Sequence, residues 1–220
     1  MKNSNYPIHF VDIETTHFDW RVGEIIEVCI WTSKDGGHTI SDRYHTYIKP
    51  QHLDRANPRA LEVNGYTDER WSMAPLWEDV CGEIFRILEY GIFCAHNVSF
   101  DWYWLDHHIK STSGQKITWR KLDTQSLVWE HIPTPSASMS KLRTLLGWSH
   151  YNAHTAQKDV EDLVRLYKLC IIPTIGHTPQ LDAIKEHVEV VRRRGDDHVY
   201  LTIMDVDALI KMVRLSTQNR

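Results

Sequence analysis

Two carboxylates stand two residues apart inside an apolar run near the start of the chain, Ile8-His-Phe-Val-Asp-Ile-Glu14. The run is short and rich in β-branched and aromatic residues, so it predicts a strand. On a strand, side chains at i and i+2 project from one face. Asp12 and Glu14 therefore share a face, where like charges repel each other and lose solvation. A hard divalent cation such as Mg²⁺ or Mn²⁺ relieves that conflict. Read alone, the pair has a plainer explanation as solvated acids at an exposed strand end.

The rest of the pattern predicts where that strand sits. A second strand reads over Gly23–Ser33, with a hairpin signal at Lys34–Gly37 and a third strand over Asp42–Lys49. Three strands with short turns predict an antiparallel meander. Residues 51–75 carry Pro58, Asn64-Gly65 and Pro75 and read mostly as loop, with a short helix at Pro58–Val63. Apolar residues at Leu76, Val80, Ile84 and Leu88 predict an amphipathic helix over Leu76–Glu89. A buried strand follows at Ile92–Ala95, then a helix over Val98–Ile109 with Asn97 or Ser99 as its cap. Thr118–Arg120 reads as a fifth short strand. Helices read over Thr124–His131, Ser140–Leu146 and Ala156–Cys170, the last capped by Thr155.

Strands first, then helices alternating with added strands, define an α/β mixed sheet. The expected division is a main domain over residues 1–175 and a small α/β extension over 176–220. In the extension, Thr178-Pro179 opens a helix to Arg194, Val199–Met204 reads as a strand, and Asp205 caps a final helix. Arg192-Arg-Arg194 stands at a helix C-terminus, where cations favour the dipole; guiding a phosphate strand or docking a polymerase is the other reading.

The composition is that of a globular chain, 42% hydrophobic and 25% charged over 220 residues. No run approaches the ~18–20 apolar residues of a membrane helix. The first residues show no secretory signal, so a cytoplasmic protein with no membrane association is expected. Net charge is −4, which argues against a purely charge-driven nucleic-acid binder. It leaves room for a nucleic-acid enzyme whose bound metals supply positive charge locally. Cys29, Cys81, Cys94 and Cys170 form no metal-ligand spacing and read as reduced, mostly buried residues.

Two further clusters carry acids and histidines. His96-Asn-Val-Ser-Phe-Asp101 follows the buried strand and puts Asp101 in the first turn of the next helix. An acid there favours the helix dipole by about 0.3–1 kcal/mol, and it can also be aimed at a site beside the first strand. His154-Thr-Ala-Gln-Lys-Asp159 puts a histidine on a loop and an acid on the core-facing stripe of the helix that follows. That acid is costly there unless paired or metal-bound. A zinc site from His107, His108, His150 and His154 matches no zinc spacing.

The order of these clusters resembles the DEDDh family, the DnaQ-like 3′–5′ exonucleases of the RNase H-like superfamily. FVDIETT, EIIEVCIW, HNVSFD, LDTQSL and HTAQKDVEDL carry the resemblance, which runs from about Ile8 to Leu169. NPRALEVNGYTDE is similar to a pattern common in proofreading subunits, with Tyr66 where Ile is usual. All five signature positions are present.

The resemblance implies an RNase H-like five-stranded mixed sheet flanked by helices. It implies that Asp12, Glu14, Asp101 and Asp159 bind two Mg²⁺ or Mn²⁺ ions. His154 is then the general base on the attacking water, imidazole being suited to neutral pH. Thr15, Thr16, His17 and Phe18 line the pocket for the terminal nucleotide, with Val63, Asn64 and Gly65 in the matching later loop. Asn97 and Ser99 contact the terminal sugar or cap the helix. Phe18 and Trp20 are stacking platforms or ordinary packing. Asp123 is expected to bond nearby backbone. The implied substrate is single-stranded nucleic acid with a 3′ end, DNA ahead of RNA, and the implied partner is a polymerase. An exoribonuclease and a non-catalytic nucleic-acid or polymerase-binding module are the competing readings.

Overall fold

The computed structural model describes residues 6–171 and two strands at Val188–Arg192 and Val199–Ile203. Its centre is a five-stranded sheet: β1 (Ile8–Thr15), β2 (Ile25–Ser33), β3 (Asp42–Tyr47), β4 (Ile92–Ala95) and β5 (Lys121–Asp123), in the order β3-β2-β1-β4-β5. The first three strands are antiparallel neighbours; β4 and β5 run parallel to β1. The chain builds one side of β1 and then crosses to the other. Such a switch point leaves a crevice beyond the carboxyl ends of the strands, where α/β proteins place their sites.

The chain forms two units, residues 1–124 with 152–165, and residues 125–151 with 166–220. The first holds the sheet, α1 (Pro58–Val63), α2 (Asp68–Trp71), α3 (Trp77–Leu88), α4 (Val98–Ser113) and the start of α7 (Ala156–Ile171). Val11, Ile13, Val28 and Ile30 pack against Ile84 and Leu88 of α3 and Trp104, Leu105 and Ile109 of α4. Each such apolar side chain contributes about 1.5–3 kcal/mol when fully buried. In the second unit, α5 (Thr124–His131), α6 (Met139–Leu146) and the end of α7 bury Val128, Ile132, Leu142, Leu145 and Leu166 together. Its strands β6 (Val188–Arg192) and β7 (Val199–Ile203) form an antiparallel pair.

Several expectations shift. The fourth helix runs on past Ile109 to Ser113, because Gly114 (φ 74°) is the first residue to take the left-handed turn that ends it. The last strand of the main sheet lies at Lys121–Asp123, not Thr118–Arg120. Thr118 instead spends its hydroxyl on the Gly91 carbonyl. Residues 51–75 hold a 3-10 turn at Leu53–Arg55 and the four-residue α2, both too short for a periodic signal. Part of the helix expected over Thr178–Arg194 is a strand, Val188–Arg192, where three valines favour extended backbone. The start of that helix, Arg193, Arg194 and the final helix from Asp205 lie outside the described residues.

The cysteines are free thiols, three of them buried, as expected. Among the described residues no helix is long and apolar enough to cross a membrane.

Candidate active site

Asp12 and Glu14 end β1 on the face opposite Val11 and Ile13. Asp159 enters from the first turn of α7. One carboxylate oxygen from each of the three lies within 4.8 Å of the others, and all three residues are half-buried. Among the described residues this is the one group of three metal-ligating side chains. Asp101 stands beside it in the first turn of α4, only 4% exposed. Its Oδ1 accepts a hydrogen bond from the Ile13 amide at 3.2 Å, which ties α4 to the C-terminal end of β1.

The electrostatics are those of a site built for a cation. Burial, then the charges of Asp159, Asp101, Glu14 and Glu27, hold the Asp12 carboxyl well above its usual range. Burial, Asp159, Glu27 and Asp101 do the same to Glu14. Burial pushes Asp101 up to about 8, against two backbone hydrogen bonds that pull it down. Groups held together against both desolvation and repulsion need positive charge between them. The donors are all oxygens, which fits a hard divalent cation such as Mg²⁺ or Mn²⁺.

These shifts fix a sign for pH dependence. In the unfolded chain the carboxyls titrate at about 4. Between that value and the raised folded values, the metal-free folded state keeps protons the unfolded state has released. Stability in EDTA is therefore fully present at acid pH and falls as pH rises towards 8. Melting curves in EDTA from pH 5 to 8.5 are expected to show a declining melting temperature, restored by Mg²⁺ at the alkaline end. A flat EDTA profile would contradict the burial of these acids.

His154 sits on the loop before α7, exposed, with a left-handed backbone (φ 66°) that it shares with Asn152 (φ 57°). Non-glycine residues in that region are uncommon and gather at functional loops. The His154 amide points at Asp159 Oδ1 at 3.4 Å, so the loop and the carboxylate are coupled. Thr155 caps α7 as expected, its hydroxyl accepting from the Lys158 amide.

The loop after β1 is tightly built. The Thr15 hydroxyl donates to the His17 carbonyl, and the Thr16 hydroxyl accepts from the Glu24 amide. His17 Nδ1 accepts from the Asp19 amide. Gly23 is needed where the loop closes: a Cβ there would lie 2.5 Å from His17 Cβ and 2.9 Å from the Trp104 ring. Thr15, Thr16 and His17 thus spend polar groups on the loop itself, while Phe18, 61% exposed, and Val22, 41% exposed, are the large apolar side chains it presents. Val63 is also exposed, whereas Asn64 is buried and its amide donates to the Thr15 carbonyl. Trp20 is half-buried with its ring 4.4 Å from that of His107, which is packing.

Asn97 and Ser99 are both exposed. Neither makes a side-chain cap bond on α4; Asn97 precedes it with φ 70° and donates its backbone N–H to Asp123 Oδ1 at 3.0 Å. Asp123 therefore bonds nearby backbone, as expected. Sequence reasoning missed Glu27, which faces Glu14 across the β1–β2 ladder. Its position in EIIEVCIW was visible, but its partner lies 18 residues on.

A family model described as Exonuclease (RNase_T) matches residues 10–167. The chain belongs to this exonuclease family, the DnaQ-like branch of the RNase H-like superfamily. It is 32% identical over 213 residues to a DNA polymerase III PolC-type from Thermotoga petrophila, a match covering 89% of this chain and 15% of that protein. It is 27% identical over 161 residues to a 3′–5′ exonuclease DinG from Staphylococcus epidermidis, covering 71% of this chain and 17% of that protein. The chain thus spans less than a fifth of these curated relatives. Among solved structures, the zinc-bound E. coli ExoI–ssDNA complex superposes with a TM-score of 0.67 at 18% identity, over 83% of this chain and 43% of that one. That likeness extends the shared fold to the five-stranded mixed sheet and its flanking helices.

Proposed function

We propose that the chain is a metal-dependent 3′–5′ exonuclease that removes nucleoside 5′-monophosphates from the 3′ ends of single-stranded DNA. The observation that carries this reading is the carboxylate triad of Asp12, Glu14 and Asp159, with Asp101 beside it, at the carboxyl end of β1. These four residues would hold two Mg²⁺ or Mn²⁺ ions. Bound there, the ions supply Lewis-acid stabilisation of the phosphate charge and a water of lowered pKa.

The chain's own residues do the rest. His154 takes the proton of the water that attacks the last phosphodiester, and the bond to the preceding 3′ oxygen breaks. The carboxylates fix where the phosphate sits relative to that histidine. Phe18 is exposed on the loop after β1 and Val63 at the C-terminal end of α1, the two segments expected to hold the terminal nucleotide, and Phe18 offers a stacking surface worth about 1–3 kcal/mol. The Asn97 and Ser99 side chains are free of cap bonds and suit contact with the terminal sugar.

DNA is preferred over RNA here because PolC-type relatives are named as DNA polymerases and the ExoI structure is a complex with ssDNA. A polymerase partner, a cytoplasmic setting and a domain boundary near residue 175 belong to the same reading. The test is a side-by-side digestion of matched single-stranded DNA and RNA with Mg²⁺, with the released products identified. Faster release of deoxynucleoside 5′-monophosphates supports the proposal. Faster RNA digestion makes the protein an exoribonuclease, and binding without products under any metal makes it a nucleic-acid-binding module.

A further inference from the structure

Glu27 is an acid with no evident reason to be where it is. It is 1% exposed, and β2 sets it directly opposite Glu14 on the metal-site face of the sheet. Side chains directly opposite on antiparallel strands have Cβ atoms about 4.5–5.5 Å apart, and like charges there are destabilising. Among the described residues a single donor holds it: His45 Nε2 lies 2.8 Å from Glu27 Oε1. His45 is itself fixed, edge-on to the Tyr47 ring at 5.1 Å, and Tyr47 packs edge-on to the buried Trp71 at 4.9 Å. The fold thus spends an ordered aromatic stack on holding a buried carboxylate beside others that repel it. The charge of Glu27 is felt at both Asp12 and Glu14. Burying it beside them is unfavourable without a cation and becomes favourable when one is bound.

We propose that Glu27, held by His45, is a positioning residue that adds a further negative charge behind the carboxylate cluster and sets how tightly the site takes divalent cations. It touches neither substrate nor reacting atoms and acts through Glu14 and Asp12. The inference rests on the metal-site reading above. A merely structural Glu27 would serve only to pin β3 to β2 through His45.

Glu27→Gln separates the two roles. The amide oxygen still accepts from His45 and the volume is kept, while the charge is lost. Binding of Mn²⁺ to the full chain, followed by the electron paramagnetic resonance signal of free Mn²⁺, reads affinity without any turnover. Glu27→Gln is expected to bind Mn²⁺ about tenfold more weakly, in the range seen when outer partners of metal ligands are removed. Its melting temperature in EDTA is expected to match or exceed wild type, with a smaller rise on adding Mn²⁺. Glu27→Ala, which also removes the charge, should weaken binding similarly and serves if the amide disturbs folding. Glu27→Asp, which keeps the charge, should bind more tightly than either. Mn²⁺ affinity within twofold of wild type in Glu27→Gln overturns the inference while leaving the exonuclease reading intact. Failure of the wild-type chain itself to bind Mn²⁺ overturns both.

Discussion

Asp12→Asn is expected to lower metal-dependent hydrolysis by at least about 10³-fold with the fold intact. A metal ion supplies several kcal/mol of transition-state charge stabilisation, and each 1.36 kcal/mol is about a factor of ten in rate. Asp12 is one of the three acids of the cluster, with one oxygen within 4.8 Å of both Glu14 and Asp159. Burial and its neighbours already favour its neutral form when no cation is bound. The asparagine amide has nearly the shape of that neutral acid, so folding loses little. The melting temperature in EDTA should therefore equal or exceed that of wild type. A variant retaining activity within tenfold of wild type would remove the metal-site account.

His154→Ala is expected to lower kcat about 10²–10⁴-fold, the usual contribution of a positioned general base. KM should change little, because the exposed imidazole stands on its own loop and the carboxylates keep their place. Steady-state kinetics on a single-stranded oligonucleotide separate the two parameters. A loss below threefold would mean that another group takes the proton. A large rise in KM with kcat preserved would assign His154 to substrate binding instead.

The parts of the site set by local chain geometry were legible in the sequence. Asp12 and Glu14 share a face because a strand has period two. Asp159 falls in the first turn of its helix because Thr155 caps it. Features set by the meeting of distant segments were not legible. The Thr15 and Thr16 hydroxyls look like ligand groups in isolation, and the sequence did not show that each also makes a hydrogen bond that closes the loop. Asn97 reads as a side-chain cap, but it takes a left-handed backbone and its backbone N–H bonds Asp123 on the neighbouring strand. The last sheet strand was misplaced by three residues because Leu122 is its one apolar residue, and pairing with β4 decides where it lies. Glu27 gained meaning from a strand register that opposes it to Glu14 and from a histidine on a third strand.

The central claim is that this carboxylate cluster shortens nucleic acid from the 3′ end. Incubating a 5′-labelled single-stranded DNA with the protein, in Mg²⁺ and separately in EDTA, tests it most directly. The account predicts a ladder of products that shortens one nucleotide at a time from the 3′ end in Mg²⁺ and full-length strand in EDTA. An intact strand in both Mg²⁺ and Mn²⁺, or shortening that persists in EDTA, would contradict it.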